Sequence, residues 1–173
     1  IIGRERLPLD DKWQANGPAT LHGYATNGFP NLFFSSSNQA TQTGNNVFML
    51  GLIADHITYM IARAQERVGP GQRPIIEVTR PAEQAHTDEI LKRAPYYSAL
   101  AGCTPGYFNG HGEASRVTDP DEKRKRAKAS AWGEGTQSFM NYIEGWRNEG
   151  SLDGLVIAPA VDSSGKGGLL SKL

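Results

Sequence analysis

Between Phe34 and Val47 the chain carries hydroxyls, amides and no charge. The run is Ser35-Ser36-Ser37-Asn38-Gln39-Ala40-Thr41-Gln42-Thr43-Gly44-Asn45-Asn46, and no Asp, Glu, Lys or Arg occurs from Gln14 through Ala54. So long an uncharged stretch fits a surface buried against a bound group or another segment. An apolar helix follows the run. A helix start leaves backbone N–H groups without intrahelical partners and carries a partial positive charge. Gly44, Asn45 and Asn46 sit where such a start would face a ligand with a negative edge. The same residues also read as a purely structural bend.

The other reactive residue types form no comparable constellation. His22, His56, His86 and His111 lack metal-ligand spacing, and one cysteine, Cys103, makes a structural zinc site improbable. No His or Asp partner stands near Cys103 in sequence, so it reads as a packing residue. His86 and Asp88 read as a solvated helix face. The dinucleotide fingerprint Gly-x-Gly-x-x-Gly is absent, because Gly69/Gly71, Gly110/Gly112 and Gly133/Gly135 each lack the third glycine. Ser163 to Gly168, "SSGKGG", lacks the first glycine and the strand–helix frame of a phosphate loop. No Gly-x-Ser-x-Gly elbow occurs. We therefore expect no catalytic residue and no metal ligand in this chain.

Composition narrows the class. With 18 basic and 18 acidic residues the formal charge is zero, which gives no electrostatic case for nucleic acid or an anionic membrane. The basic run Asp121 to Lys128, "DEKRKRAK", reads as a solvated helix face. No run reaches the ~18 apolar residues of a membrane span; Val47 to Ile61 comes nearest and is interrupted by Asp55 and His56. A single cysteine excludes a disulfide framework and favours a reducing compartment. The first residue is Ile1, and the expected reading is a chain that starts within a longer protein.

These residues need elements to position them. Ile1 to Gly28 is turn-rich. Asn31 to Ser37 reads as a short buried strand. A long helix begins near Asn45 or Asn46, with Asn as cap, and Leu50, Ile53, Ile57, Met60, Ile61 and Ala64 mark its apolar face. Ile75 to Thr79 is a second strand, and Pro81 opens a helix through about Arg93. Pro95 to Val117 is Gly- and Tyr-rich and irregular. Asp119, Pro120 and Glu122 start a charged helix through about Ala131. Another helix runs from about Gln137 to Asn148 and closes at Gly150. Gly154 to Pro159 is a short apolar segment. Val161 onward is Gly- and Ser-rich and reads as a flexible tail.

Three stretches together resemble the C-terminal region of Baeyer–Villiger monooxygenases. The first combines Gly3, Leu7 and Trp13 with the run Gly28-Phe29-Pro30-Asn31-Leu32-Phe33. The second is the polar bend and the helix after it. The third is "YYSALAGCTPGYFNGHGE", Tyr96 to Glu113, whose Cys-Thr-Pro-Gly-Tyr is similar to a fungal, large-ring-ketone branch. The resemblance implies an α/β fold: the C-terminal portion of a Rossmann-like FAD-binding domain over residues 1–160, with added helices and a long lid loop at about 96–117. It implies an FAD- and NADPH-dependent enzyme converting ketones to esters or lactones with O₂. FAD would then meet Gln42, Thr43, Gly44, Asn45, Asn46 and Val47, and NADPH would meet Tyr107 and Asn109. Gly102, Gly106, Gly110 and Gly112 would let the loop open and close. The partners implied are the upstream part of the same protein and a small-molecule ketone, with catalytic residues upstream.

Two other readings remain open: a flavin-containing monooxygenase acting on amines or sulfides, and a non-catalytic domain that shares the motif. The tail, 161–173, ends in Ser171-Lys172-Leu173. At a C-terminus this tripeptide is a peroxisomal address, so a peroxisomal import receptor is an expected partner and the peroxisome the expected location, with the cytoplasm as alternative.

Overall fold

The computed structural model describes residues 1–94, 104–106, 111–113 and 116–161. Most of the 96–117 loop, including Cys103, Tyr107 and Asn109, lies outside the described residues, as does the tail with Ser171, Lys172 and Leu173. A short 3₁₀ turn, Arg4–Arg6, precedes α1 (Leu9–Asn16). Then come α2 (Asn46–Val68), β1 (Pro74–Val78), α3 (Arg80–Arg93), α4 (Pro120–Lys128), α5 (Gly135–Glu149) and β2 (Leu155–Pro159).

β1 and β2 pair antiparallel, with Pro74 opposite Pro159 and Val78 opposite Leu155. α2 packs on both strands, and α3 packs on α4. Between the helices lies a core of Tyr24, Ala40, Leu52, Ile53, Met60, Ile90, Trp132, Phe139 and Ile143. α3 and α4 have the local chemistry to start where they do. Thr79 caps α3 by accepting from the Ala82 N–H at 3.3 Å, and Asp119 caps α4 by accepting from Asp121 at 2.8 Å. Gly150, in the left-handed conformation at φ 66°, ends α5. α4 buries none of its residues, as expected of a solvated charged face.

The segment before the polar bend departs from expectation. Asn31 to Ser37 forms no named strand and is not buried. Phe33 makes one isolated bridge to Ala25, and the Phe34 N–H donates to the Tyr24 carbonyl at 2.8 Å. A strand needs a continuous partner, and the 21–25 segment turns away at Gly23, whose φ is 78°. A Cβ at Gly23 would lie 2.5 Å from the Ala40 Cβ, so only glycine allows the bend to approach that closely. Asn31 has a different task. Its N–H donates to the Ile76 carbonyl (2.9 Å), its Oδ1 accepts from the Ile76 N–H (2.8 Å), and its Nδ2 donates to the Pro74 carbonyl (3.1 Å). One asparagine thus stands in for a third strand along the free side of β1.

Other boundaries shift for tertiary reasons. The turn-rich opening contains α1, whose Lys12 reaches 2.7 Å to Glu83 of α3. α4 stops at Lys128 rather than Ala131, because Ala131 and Trp132 are drawn inward. The buried side of α2 is Met49, Leu52, Ile53, His56, Met60 and Ala64, while Leu50 and Ile61 are exposed. The expected apolar face was therefore rotated, because His56 lies inside. By length and composition alone α2 is apolar enough to cross a bilayer, which counting unbroken apolar runs had not indicated.

Glu83 is buried, and its Oε1 accepts from Lys12 Nζ (2.7 Å), Thr26 Oγ1 (2.5 Å) and the Asn27 N–H (2.8 Å). Burial pulls the Lys12 ammonium below its ordinary pKa, and Glu83 opposes that shift. Removing one partner of a buried pair leaves the other uncompensated, at a cost of about 3–5 kcal/mol. Glu83→Ala is expected to lower the thermal midpoint of the full-length protein by several degrees, and an unchanged midpoint would show that the network carries no stability.

Candidate functional site

The polar bend is built from behind. Gln39 is fully buried and holds a left-handed backbone, with φ 58°. For a non-glycine residue that conformation costs on the order of 1 kcal/mol and persists only where surroundings over-determine it. They do. Its N–H donates to the Ser130 carbonyl (2.9 Å), and its carbonyl accepts from His86 Nε2 (2.8 Å). Its Oε1 accepts from Thr20 Oγ1 (2.7 Å), and its Nε2 donates to the Pro18 carbonyl (2.9 Å) and to Thr87 Oγ1 (3.3 Å). The next residues follow suit. The Ala40 carbonyl accepts from the Trp132 N–H (2.7 Å) and Thr41 Oγ1 donates to Thr136 Oγ1 (2.8 Å). Thr136 Oγ1 also lies 3.4 Å from the Gln42 carbonyl.

Beyond Gln42 the bend opens outward. Gln42 and Thr43 are half-buried, and Gly44, Asn45, Asn46 and Val47 are exposed. Asn45 is the N-cap of α2: its Oδ1 accepts from the Phe48 N–H at 3.0 Å, and its carbonyl accepts from the Met49 N–H at 3.2 Å. The Asn46 and Val47 N–H groups, first in the helix, have no acceptor among the described residues. Val47, Phe48 and Leu50 expose apolar surface beside them, Val47 at 80%. The six expected residues thus form one continuous element: two free donors at a helix mouth, flanked by apolar side chains and backed by a satisfied hydrogen-bond network. Such a mouth favours a flat ligand with an electronegative edge. Tyr107 and Asn109 lie outside the described residues.

Sequence reasoning missed the histidines. His22, His56 and His86 are all buried and gather in one aromatic cluster with Tyr24, Trp132, Tyr142 and Trp146. His22 Nδ1 lies 3.0 Å from His56 Nε2. His86 lies near-parallel to Trp132 and Tyr142, at interplanar angles of 17° and 18°, beside the stack those two rings form with each other at 4.7 Å. It is not on a solvated face as its charged neighbours suggested; Asp88, two residues on, is. Among the described residues no His, Cys, Asp and Glu group has the makings of a metal site. The Nδ1 atoms of His56 and His86 and the Tyr24 hydroxyl have no hydrogen-bond partner there. For His56 a signal existed, since 49, 52, 53, 56, 60 and 64 share a helical face. For His86 none did, because the buried side of α3 is Glu83, His86, Thr87 and Ile90.

Burial keeps these rings neutral. It pushes His22 well below its ordinary value, with His86 and His56 adding repulsion. It lowers His56 to about 3, helped by Arg147, and His86 to about 4, partly opposed by the Gln39 carbonyl. The unfolded chain protonates His56 and His86 near 6.5 and the folded one only near 3 and 4. Stability is therefore full above about 6.5 and falls as pH drops toward 4, by up to about 1.4 kcal/mol per pH unit per histidine. Replacing His56 by Phe is expected to flatten this acid limb by one proton, measured as the thermal midpoint against pH. An acid limb of unchanged steepness would mean that His56 is charged in the folded protein.

The chain is similar to known proteins along most of its length. It is 44% identical over 159 residues to a polycyclic ketone monooxygenase of Thermothelomyces thermophilus, covering 91% of this chain and 24% of that protein. It is 40% identical over 156 residues to an FAD-binding monooxygenase of Penicillium brasilianum, covering 90% and 24%. The solved structure of the polycyclic ketone monooxygenase from Thermothelomyces thermophila superposes with a TM-score of 0.84, over 91% of this chain and 24% of that one. Cyclohexanone monooxygenase from Rhodococcus sp. Phi1 bound to NADP⁺, 22% identical, shares the fold with a TM-score of 0.65, over 92% and 27%. No family model matches the chain. The chain spans about a quarter of the length of these relatives.

Proposed function

Because this chain is the C-terminal part of a Baeyer–Villiger monooxygenase, we propose that it completes the flavin domain of an FAD- and NADPH-dependent enzyme that converts ketones to esters or lactones with O₂. Residues 1–160 form the last portion of a Rossmann-like FAD-binding domain. The observation that supports this reading best is the exposed mouth of α2, where the Asn46 and Val47 N–H groups have no acceptor among the described residues while every residue from Gln39 to Gln42 behind them is hydrogen-bonded.

The residues fit FAD. Its pyrimidine edge is electronegative, and more so when reduced. Two aligned N–H donors and the positive end of a helix suit that edge, stabilising it by roughly 0.3–2 kcal/mol. Exposed Val47 and Phe48 offer apolar area to a flat ring system. Gln42 and Thr43 lead into the mouth, and Asn45 holds its first turn. Bound there, FAD supplies the oxidation chemistry with NADPH and O₂. This chain orients and polarises it.

The loop at about 96–117 would cover NADPH through Tyr107 and Asn109, keeping water from the reaction. That assignment rests on the Cys-Thr-Pro-Gly-Tyr motif. The ketone itself comes from relatives, one of which is named for polycyclic ketones.

Asn46→Pro is the direct test. Pro is accommodated at the first helical position and removes one N–H, and Asn45, at φ −95° and ψ 85°, lies outside the helical region that a following proline disfavours. The variant is expected to fold, to bind FAD roughly tenfold more weakly and to shift its midpoint potential downward. FAD affinity and potential equal to those of the parent would remove the flavin from this mouth. For the loop, Tyr107→Ala and Asn109→Ala are expected to weaken NADP⁺ binding and uncouple NADPH oxidation from product. Unaltered affinity and coupling would end that assignment. Offered a ketone and a thioether, the full-length enzyme should form the ester; sulfoxide alone would favour a flavin-containing monooxygenase.

A further inference from the structure

Gln39 is the residue at which the bend is set, and its carbonyl has one side-chain donor, His86 Nε2, at 2.8 Å. That contact fixes the tautomer. A carbonyl accepts, so Nε2 carries the hydrogen and Nδ1, buried and without a partner, is bare. The ring is packed in place: buried, near-parallel to Trp132 and Tyr142 with centroids at 6.2 and 5.8 Å, and edge-on to His22 at 5.5 Å. His86 itself sits on α3, one helical step from buried Thr87 and a turn from buried Ile90. The donor is therefore delivered from a rigid element to the strained residue from which the chain runs, through Ala40 to Gln42, to the mouth of α2.

We infer that His86 is a positioning residue for the flavin-facing amides: its Nε2–H holds the carbonyl of left-handed Gln39 and thereby aims Gly44 to Val47. This inference rests on the placement of the flavin at that mouth. His86 touches no part of the cofactor. Its effect passes through Gln39, then through the pairing of Ala40 with Trp132 and of Thr41 and Gln42 with Thr136. A buried donor of the right reach is what the site uses, so another side chain with a terminal N–H can substitute in part. An apolar one of similar size leaves the Gln39 carbonyl orphaned and the bend free to relax.

The test compares His86→Leu, His86→Gln and Ile90→Val in the full-length holoenzyme, reading FAD dissociation and the midpoint potential of bound flavin. His86→Leu is expected to weaken FAD binding roughly tenfold and move the potential. His86→Gln restores most of both, because its amide reaches about where Nε2 lies. Ile90→Val, which loosens the same helix without touching Gln39, leaves the potential in place. Should His86→Leu fail to fold, Thr20→Val removes the donor to Gln39 Oε1 from the opposite side, and the same shift is expected. Parental affinity and potential in His86→Leu, or in Thr20→Val where that variant stands in, would overturn the inference, as would a shift in His86→Leu that Gln does not reduce. Asn46→Pro separates the two levels. If it alters the flavin and His86→Leu does not, the positioning role fails; if Asn46→Pro leaves the flavin unaltered, the placement of the flavin itself fails.

Discussion

The chain turns on the hydrogen bonds that hold Gln39. A buried glutamine in a left-handed conformation is unfavourable on its own. It is stable here because its two backbone groups and both polar ends of its side chain are engaged, by Ser130, His86, Thr20, Pro18 and Thr87. These partners come from the opening segment, from α3 and from the link between α4 and α5. Elements far apart in sequence therefore meet at one residue, and that residue decides where the exposed start of α2 faces.

Around that point the structure divides its polar work in two. On the inner side nearly everything is satisfied: Glu83 collects Lys12, Thr26 and Asn27, and Asn31 replaces a missing strand beside β1. On the outer side two helix N–H groups have no acceptor among the described residues and stand beside exposed apolar side chains. A bend hydrogen-bonded from Gln39 to Gln42 under an open rim suits cofactor polarisation, because the donors need not reorganise when charge develops on the ligand. The uncharged stretch from Gln14 through Ala54 serves both sides, since no ionised group has to be buried under the bend.

The sequence made the helices from α2 to α5 legible, though not α1, because their signals are local. Asn45 and Asp119 are caps whose side chains were readable as such, and Gly150 is a stop, whereas Thr79, read as the end of a strand, caps α3. The bend from Gln42 to Val47 was legible from its composition together with the family motif. What escaped notice depends on contacts distant along the chain. His86 among charged neighbours carries no mark of burial until Trp132 and Tyr142 stack on it. The strand expected at Asn31 to Ser37 failed because strand identity belongs to a pair of segments, and Gly23 turns the partner aside. The face of α2 was misplaced by treating His56 as polar and therefore outside, when its spacing with Ile53 and Met60 placed it within.

The central claim is that the open donors at the start of α2 meet the flavin. Hydrogen–deuterium exchange of the full-length protein, with FAD bound and after its removal, tests this at the backbone itself. Slower exchange on FAD binding in the peptide spanning Gln42 to Met49, with little change in α5, is the predicted result. Equal exchange of that peptide in the two states would contradict the account.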